Sequence, residues 1–246
     1  MRNIKLTIEY DGSRYSGWQR LGKGESENTI ENKIIEVIKK MTDEEVELFC
    51  GCRTEVGIHA YAQVANFKTK SDIKLIEIKR YLNRYLPMDI AVTEAEEMPE
   101  RFHASLNAKS KTYLYRIAIG DVPSVFDRKY SYYSFQTPDV KLMENAATQL
   151  IGKHDFKDFS TVKRTKSTMK EIYMIDITQD EREIQITIKA DDFIHNMARM
   201  LVSTLIEIGL GKRKVEEIAA ILDPNTTDIA SAACNPQGMI LKEIEY

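Results

Sequence analysis

The side chains best suited to chemistry stand together in Arg53-Thr54-Glu55-Val56-Gly57-Ile58-His59, which places a guanidinium, a hydroxyl, a carboxylate and an imidazole within seven positions. A carboxylate in such company can serve as nucleophile or general base. Gly57 lets the backbone turn where a side chain would obstruct it. Taken alone, a charged loop is more often a solvated turn than a site, because charges in loops are mostly surface. The rest of the chain shifts that balance.

Residues 46–50 alternate with period two ahead of the loop, and residues 61–67 alternate more loosely after it. Both read as half-buried strands, which puts the loop at a sheet edge. Residues 4–10 form another alternating run that enters the turn Asp11-Gly12-Ser13. Beyond that turn Tyr15 and the one tryptophan, Trp18, lie between Arg14 and Arg20. These rings are able to stack on bases, but a place in the core is their commoner fate. Thr29 is suited to cap a helix over 30–40 that aligns Ile30, Ile34, Val37 and Ile38. A second helix over 73–86 ends at Pro87, and residues 89–93 form a strand. Residues 1 to 105 therefore read as strand, helix, strand, strand, helix, strand, the order of a ferredoxin-like unit.

The second half, residues 106–246, is again α plus β. A strand over 111–117 places Tyr113 and Tyr115 on one face. Helix 140–151, the strand pair 169–177 and 183–190, helix 195–210, helix 215–222 and strand 238–245 follow. In the apolar helix 195–210, Asn196, Ser203 and Glu207 make a polar strip with Arg199 at its border. A half-buried guanidinium there calls for an anion, and a carboxylate from another segment is the natural partner. An arginine that snorkels to water is the alternative.

The 246 residues are 43% hydrophobic, enough for a sizeable core. A net charge of -3 gives no global attraction to nucleic acid, so a basic surface must be local. Residues 157–170 supply one, with Lys157, Lys163, Arg164, Lys166 and Lys170 against Asp158. Three cysteines without zinc spacing suggest a reducing cytoplasm and no metal. The absence of a leader-like or membrane-length apolar run suggests a soluble protein with no membrane partner.

Tyr10-Asp11-Gly12 with Gly17-Trp18-Gln19, Arg53-Thr54-Glu55 with Gly57 and His59-Ala60, Gln63-Val64 with Phe67, Leu86-Pro87 with Asp89-Ile90, Phe102-His103-Ala104, Tyr113 with Tyr115, His154-Asp155-Phe156, Phe193 with His195 and Met197, Arg199, and Pro236 with Gly238 follow one another along nearly the whole chain. Together they resemble the tRNA pseudouridine synthase A family. The resemblance implies an α+β pseudouridine synthase fold, with two ferredoxin-like-derived halves sharing a mixed, largely antiparallel sheet. It implies a homodimer that isomerises uridine to pseudouridine in the anticodon stem-loop of tRNA, at positions 38 to 40, with no metal or organic cofactor.

Residue by residue, Glu55 stands where the family has its catalytic aspartate, Tyr113 where a ring packs on the target uracil, and Arg199 where a basic group pairs with the catalytic carboxylate. Arg53, Thr54 and His59 fall in the same motif as substrate-binding residues, while Lys163, Arg164 and Lys166 would meet RNA phosphates. The family pattern is Gly-Arg-Thr-Asp, and here it reads Cys52-Arg53-Thr54-Glu55. The extra methylene moves the carboxylate by about an ångström, a displacement that matters to rate. The alternative to an active isomerase is a paralogue that binds or folds RNA without modifying it.

Overall fold

The computed structural model describes residues 1–20, 22, 24, 26–161, 167–223, 225–226 and 228–246. In chain order its strands and helices are β1 (Arg2–Tyr10), α1 (Ile30–Thr42), β2 (Leu48–Cys50), β3 (His59–Thr69), α2 (Leu75–Tyr85), β4 (Ile90–Met98), β5 (Ser110–Ala118), β6 (Tyr132–Tyr133), α3 (Val140–Thr148), β7 (Gly152–Asp155), β8 (Met169–Gln179), β9 (Glu183–Ala190), α4 (Met197–Gly209), α5 (Glu217–Leu222) and β10 (Met239–Glu245). The class is α+β, as expected. The chain divides into two compact units, one of residues 1–109 with 240–246 and one of residues 110–239.

In the first unit β1 pairs antiparallel with β3 and β4, and β3 pairs antiparallel with β2. The resulting order, β4-β1-β3-β2, is that of a ferredoxin-like sheet. Alternation in β1 buries Ile4, Leu6 and Ile8 completely, each contributing roughly 1.5–3 kcal/mol by leaving water. The expected faces of the helices are the buried ones: Ile30, Ile34, Val37 and Ile38 on α1, Ile78 and Leu82 on α2. Thr29 caps α1 by accepting from the Asn32 N–H at 3.3 Å. Leu86 is extended after α2, as a residue before proline must be.

One expectation is corrected. The loop over 51–58 opens onto an interior strand, because β3 has β1 along one side and two strands along the other. Those two are β2 toward its end and, at its start, β10, with Ile240 opposite His59 and Leu241 opposite Ala60 in parallel register. The partner at the start comes from the far end of the chain, so local alternation does not reveal it.

In the second unit β5 pairs antiparallel with β9, β9 with β8, and β8 with β7, while β6 runs parallel to β5. Helix α4 buries Leu201, Leu205 and Ile208. It begins at Met197, two residues later than expected, because Asn196 adopts a left-handed conformation (φ 63°) incompatible with a helix interior. Among the described residues no helix is long and apolar enough to cross a membrane.

Candidate active site

The loop over 51–58 is held by buried groups on three elements. From β3, the wholly buried Gln63 turns its side-chain amide onto Cys52: Oε1 accepts from the Cys52 N–H at 3.2 Å and Nε2 donates to the Cys52 carbonyl. The amide thus does for Cys52 what a neighbouring strand would do. Nε2 also donates to the Tyr10 hydroxyl at 3.4 Å, and that hydroxyl shares a hydrogen bond with Thr54 Oγ1 at 2.7 Å. Burial, opposed by the bonds to Thr54 and Gln63, pushes the Tyr10 phenol above its ordinary range, so it keeps its proton at any working pH.

The segment after β1 closes over the loop. The Trp18 backbone N–H donates to the Thr54 carbonyl at 3.0 Å, and the Trp18 indole is fully buried with its ring 5.9 Å from that of Tyr10. The core reading of Tyr15 and Trp18 therefore holds, with Tyr15 buried and its hydroxyl on Asp89 at 2.5 Å. Two glycines permit the approach. A Cβ on Gly12 would lie 2.0 Å from the Ile58 carbonyl oxygen, and one on Gly17, where φ is +90°, would lie 3.0 Å from the Thr54 carbonyl oxygen.

The Gly12 N–H donates to His59 Nδ1 at 3.1 Å, with an Asp11 carboxylate oxygen 3.2 Å from the same nitrogen. Thr54 and His59 are thus buried, at 4% and 3% exposure, while Glu55 is half-buried and Arg53 is exposed. Gly57, at φ +78°, makes the turn, and the Ile58 N–H returns to the Glu55 carbonyl at 3.2 Å. Beside the loop, at the start of α1, burial raises the Glu31 carboxyl against the Arg20 N–H and the Arg53 and Arg20 guanidinium groups.

In the second unit Tyr113 lies on β5 with Phe193 edge-on to its ring, 5.1 Å between centroids and 84° between planes. Tyr115, on the same face, is fully buried and donates to the Asn235 carbonyl at 3.0 Å. Arg199 is half-buried on the first turn of α4 and does not snorkel. Its Nε donates to the Cys234 carbonyl at 2.7 Å, its Nη1 donates to Asn196 Oδ1 at 3.3 Å, and its own carbonyl accepts from the Cys234 N–H at 3.3 Å. Asn196 Nδ2 also donates to Thr161 Oγ1 at 2.8 Å, so the left-handed residue ties the helix start to a residue that precedes β8 in the chain. Lys163, Arg164 and Lys166 lie outside the described residues.

Gln63 stands among the residues that carry the family resemblance, but its role as the loop's buried support is visible only in the structure. Among the described residues no group of three or more His, Cys, Asp or Glu side chains is arranged to hold a metal ion. A loop anchored by buried hydrogen bonds that presents one half-buried carboxylate suits chemistry in which that carboxylate must be held still.

A family model described as tRNA pseudouridine synthase matches residues 6–107 and 146–246. A Bacillus cereus protein named tRNA pseudouridine synthase A 2 is 44% identical over 249 residues, spanning all of both chains. A Clostridium perfringens protein of the same name is 42% identical over 247 residues, again spanning all of both chains. Among solved structures, an H/ACA ribonucleoprotein bound to a substrate RNA aligns at 12% identity and a TM-score of 0.36, covering 83% of this chain and 42% of that one. On the full-length similarity to the synthases, the chain belongs to the tRNA pseudouridine synthase A family.

Proposed function

We propose that this chain isomerises uridine to pseudouridine in the anticodon stem-loop of tRNA, at positions 38 to 40, with Glu55 as the reacting carboxylate. In that reaction the bond from the uracil N1 to the ribose C1′ breaks, the retained base turns, and a bond from C5 to C1′ forms, with the C5 proton lost and one proton taken up at N1. The base must be detached yet kept, so a carboxylate that acts as nucleophile or base has to work beside a ring that holds the uracil. Glu55 supplies the first and Tyr113 the second. Arg199 is the guanidinium that balances the catalytic charge.

Arg53, exposed at the loop, contacts the substrate directly, and Thr54 and His59 serve binding by fixing the shape of the loop that carries it. Lys163, Arg164 and Lys166 meet phosphates, which gives affinity and position without reading sequence. The resemblance also supports a cytoplasmic homodimer that works without a metal or organic cofactor.

The observation that carries this reading is the full-length similarity to named synthases at 42–44% identity, joined to a loop whose neighbours of Glu55 are locked by buried hydrogen bonds. The glutamate at the place of the family's aspartate favours a second reading, an RNA-binding protein that does not turn over. Incubation of the purified chain with unmodified tRNA transcripts, followed by chemical mapping of pseudouridine, separates the two. We expect pseudouridine in the anticodon arm from the wild type and none from Glu55→Gln, whose tRNA affinity stays within a few-fold. Tight binding by the wild type with no pseudouridine at any position selects the second reading.

A further inference from the structure

Where β9 ends at Ala190 the chain leaves the sheet through Asp191, Asp192 and Phe193. The Asp192 carboxylate sits between two lysines on the strands that flank β9. Lys111 Nζ of β5 lies 2.5 Å from Oδ1, and Lys170 Nζ of β8 lies 3.0 Å from Oδ2. Both ammonium groups are largely covered, with side chains 11% and 16% exposed. One carboxylate therefore braces the two neighbours of β9 across its end.

The turn is tied down from its other side as well. Asp191 Oδ1 accepts from the Glu171 and Asp192 N–H groups at 3.0 and 2.7 Å, and the Asp191 N–H donates to the Glu171 carbonyl at 3.0 Å. The residue after Asp192 is Phe193, whose ring meets Tyr113 edge-on. Lys111 and Tyr113 are two apart on β5 and share a face. Two adjacent contacts, Lys111 to Asp192 and Tyr113 to Phe193, therefore fix the turn onto the strand in one register.

We propose that Lys111, Asp192 and Lys170 form an ionic brace that positions the Tyr113 ring through Phe193, making Asp192 a positioning residue for the base platform. Nothing in the reaction asks these three groups to touch the uridine. The lysine side chains are largely covered while the Asp192 side chain is 42% exposed, so salt screens the pairs in part. Burial pushes the Asp192 carboxyl up, but the two ammonium groups outweigh it and hold the carboxyl below its ordinary value, so the brace is charged throughout the neutral range. This inference rests on the proposed role of Tyr113 and extends it to what holds that ring.

The test is single-turnover pseudouridine formation on an unmodified tRNA transcript by the full chain, with tRNA affinity measured separately. Asp192→Asn keeps the shape and removes the charge. It is expected to slow the chemical step by about tenfold or more while tRNA affinity stays within twofold. Lys111→Arg should hold near-wild-type rates where Lys111→Met does not. In a double-mutant cycle, Asp192→Asn on a Phe193→Leu background should cost far less than on the wild type, because both changes release the same ring. Strictly additive effects of the two, or an Asp192→Asn protein as fast as a turning-over wild type, overturn the brace and leave the proposed function standing. A wild type that binds tRNA and forms no pseudouridine overturns the function, and this inference with it.

Discussion

The loop before β3 and the turn after β9 each hold a side chain proposed for the reaction, and they are held by opposite means. Around Cys52 and Thr54 in the loop the fastenings are neutral and dry: the Gln63 amide on Cys52, the Tyr10 hydroxyl on Thr54, and glycine backbone against carbonyl oxygen. Around the turn the fastening is a carboxylate between two ammonium groups, and its own side chain is 42% exposed. Neutral buried bonds are insensitive to pH and salt and fail by steric or desolvation cost. A partly exposed ionic brace fails by titration and screening. A carboxylate that must be placed to a fraction of an ångström is well served by the first kind. A ring that must offer a face tolerates the second.

The largest expected effect breaks the first region by volume alone. Gly12→Ala puts a methyl group 2.0 Å from the Ile58 carbonyl oxygen, where the obstacle is backbone and has no rotamer to change. The turn after β1 or the loop must move, at a cost of about 3 kcal/mol or more. The denaturation midpoint should fall accordingly with an unchanged slope, and a variant as stable as the wild type would mean that the close approach is not structural. No single alanine in the second region has such an effect, since among its described residues the brace contains no such approach.

Thr54→Val sharpens the comparison at an intermediate level. It preserves shape and deprives the buried Tyr10 hydroxyl of its closest partner, leaving only the long bond from Gln63. The loss is expected to be about 1–2 kcal/mol. It should be the same in low and high salt, whereas the loss from Asp192→Asn should shrink as salt is added. Equal salt dependence in the two variants would erase the distinction between the regions.

The two regions also differ in how much of them was legible beforehand. The period-two run of β1, the faces of α1 and α2, the Thr29 cap and the hairpin of β8 and β9 depend on neighbours in sequence, and those were readable. So was the cluster of side chains in the loop. What fixes that loop was not, because the motif that includes Gln63 does not say what its amide binds, and the glycine at 12 shows a turn without showing what lies against it. The interior position of β3 depends on β10, which arrives only at the end of the chain. The late start of α4 depends on one left-handed asparagine that no proline or glycine announces. Lys111 and Asp192 are 81 positions apart, and nothing local to either marks the other as its partner.

The smallest effect expected is also the most specific to the second region. Against the cost of burial, Lys111 and Lys170 hold the Asp192 carboxyl below its ordinary value. A depressed folded-state pKa means that the unfolded chain takes up this proton first as pH falls. The stabilising contribution is therefore fully present above the unfolded value of about 3.9, and it is lost as pH drops through the lower folded value. The stability difference between wild type and Asp192→Asn should be constant from neutral pH to about 4 and should narrow only below that. Because the side chain is partly exposed, the amplitude belongs at the low end for ion pairs, under about 1 kcal/mol. The Thr54→Val difference, which involves no group titrating in that range, should run flat through the same window. A difference for Asp192→Asn that narrows near neutral pH instead would place the titrating group elsewhere, and the turn would then be held by its backbone bonds to Glu171 more than by charge.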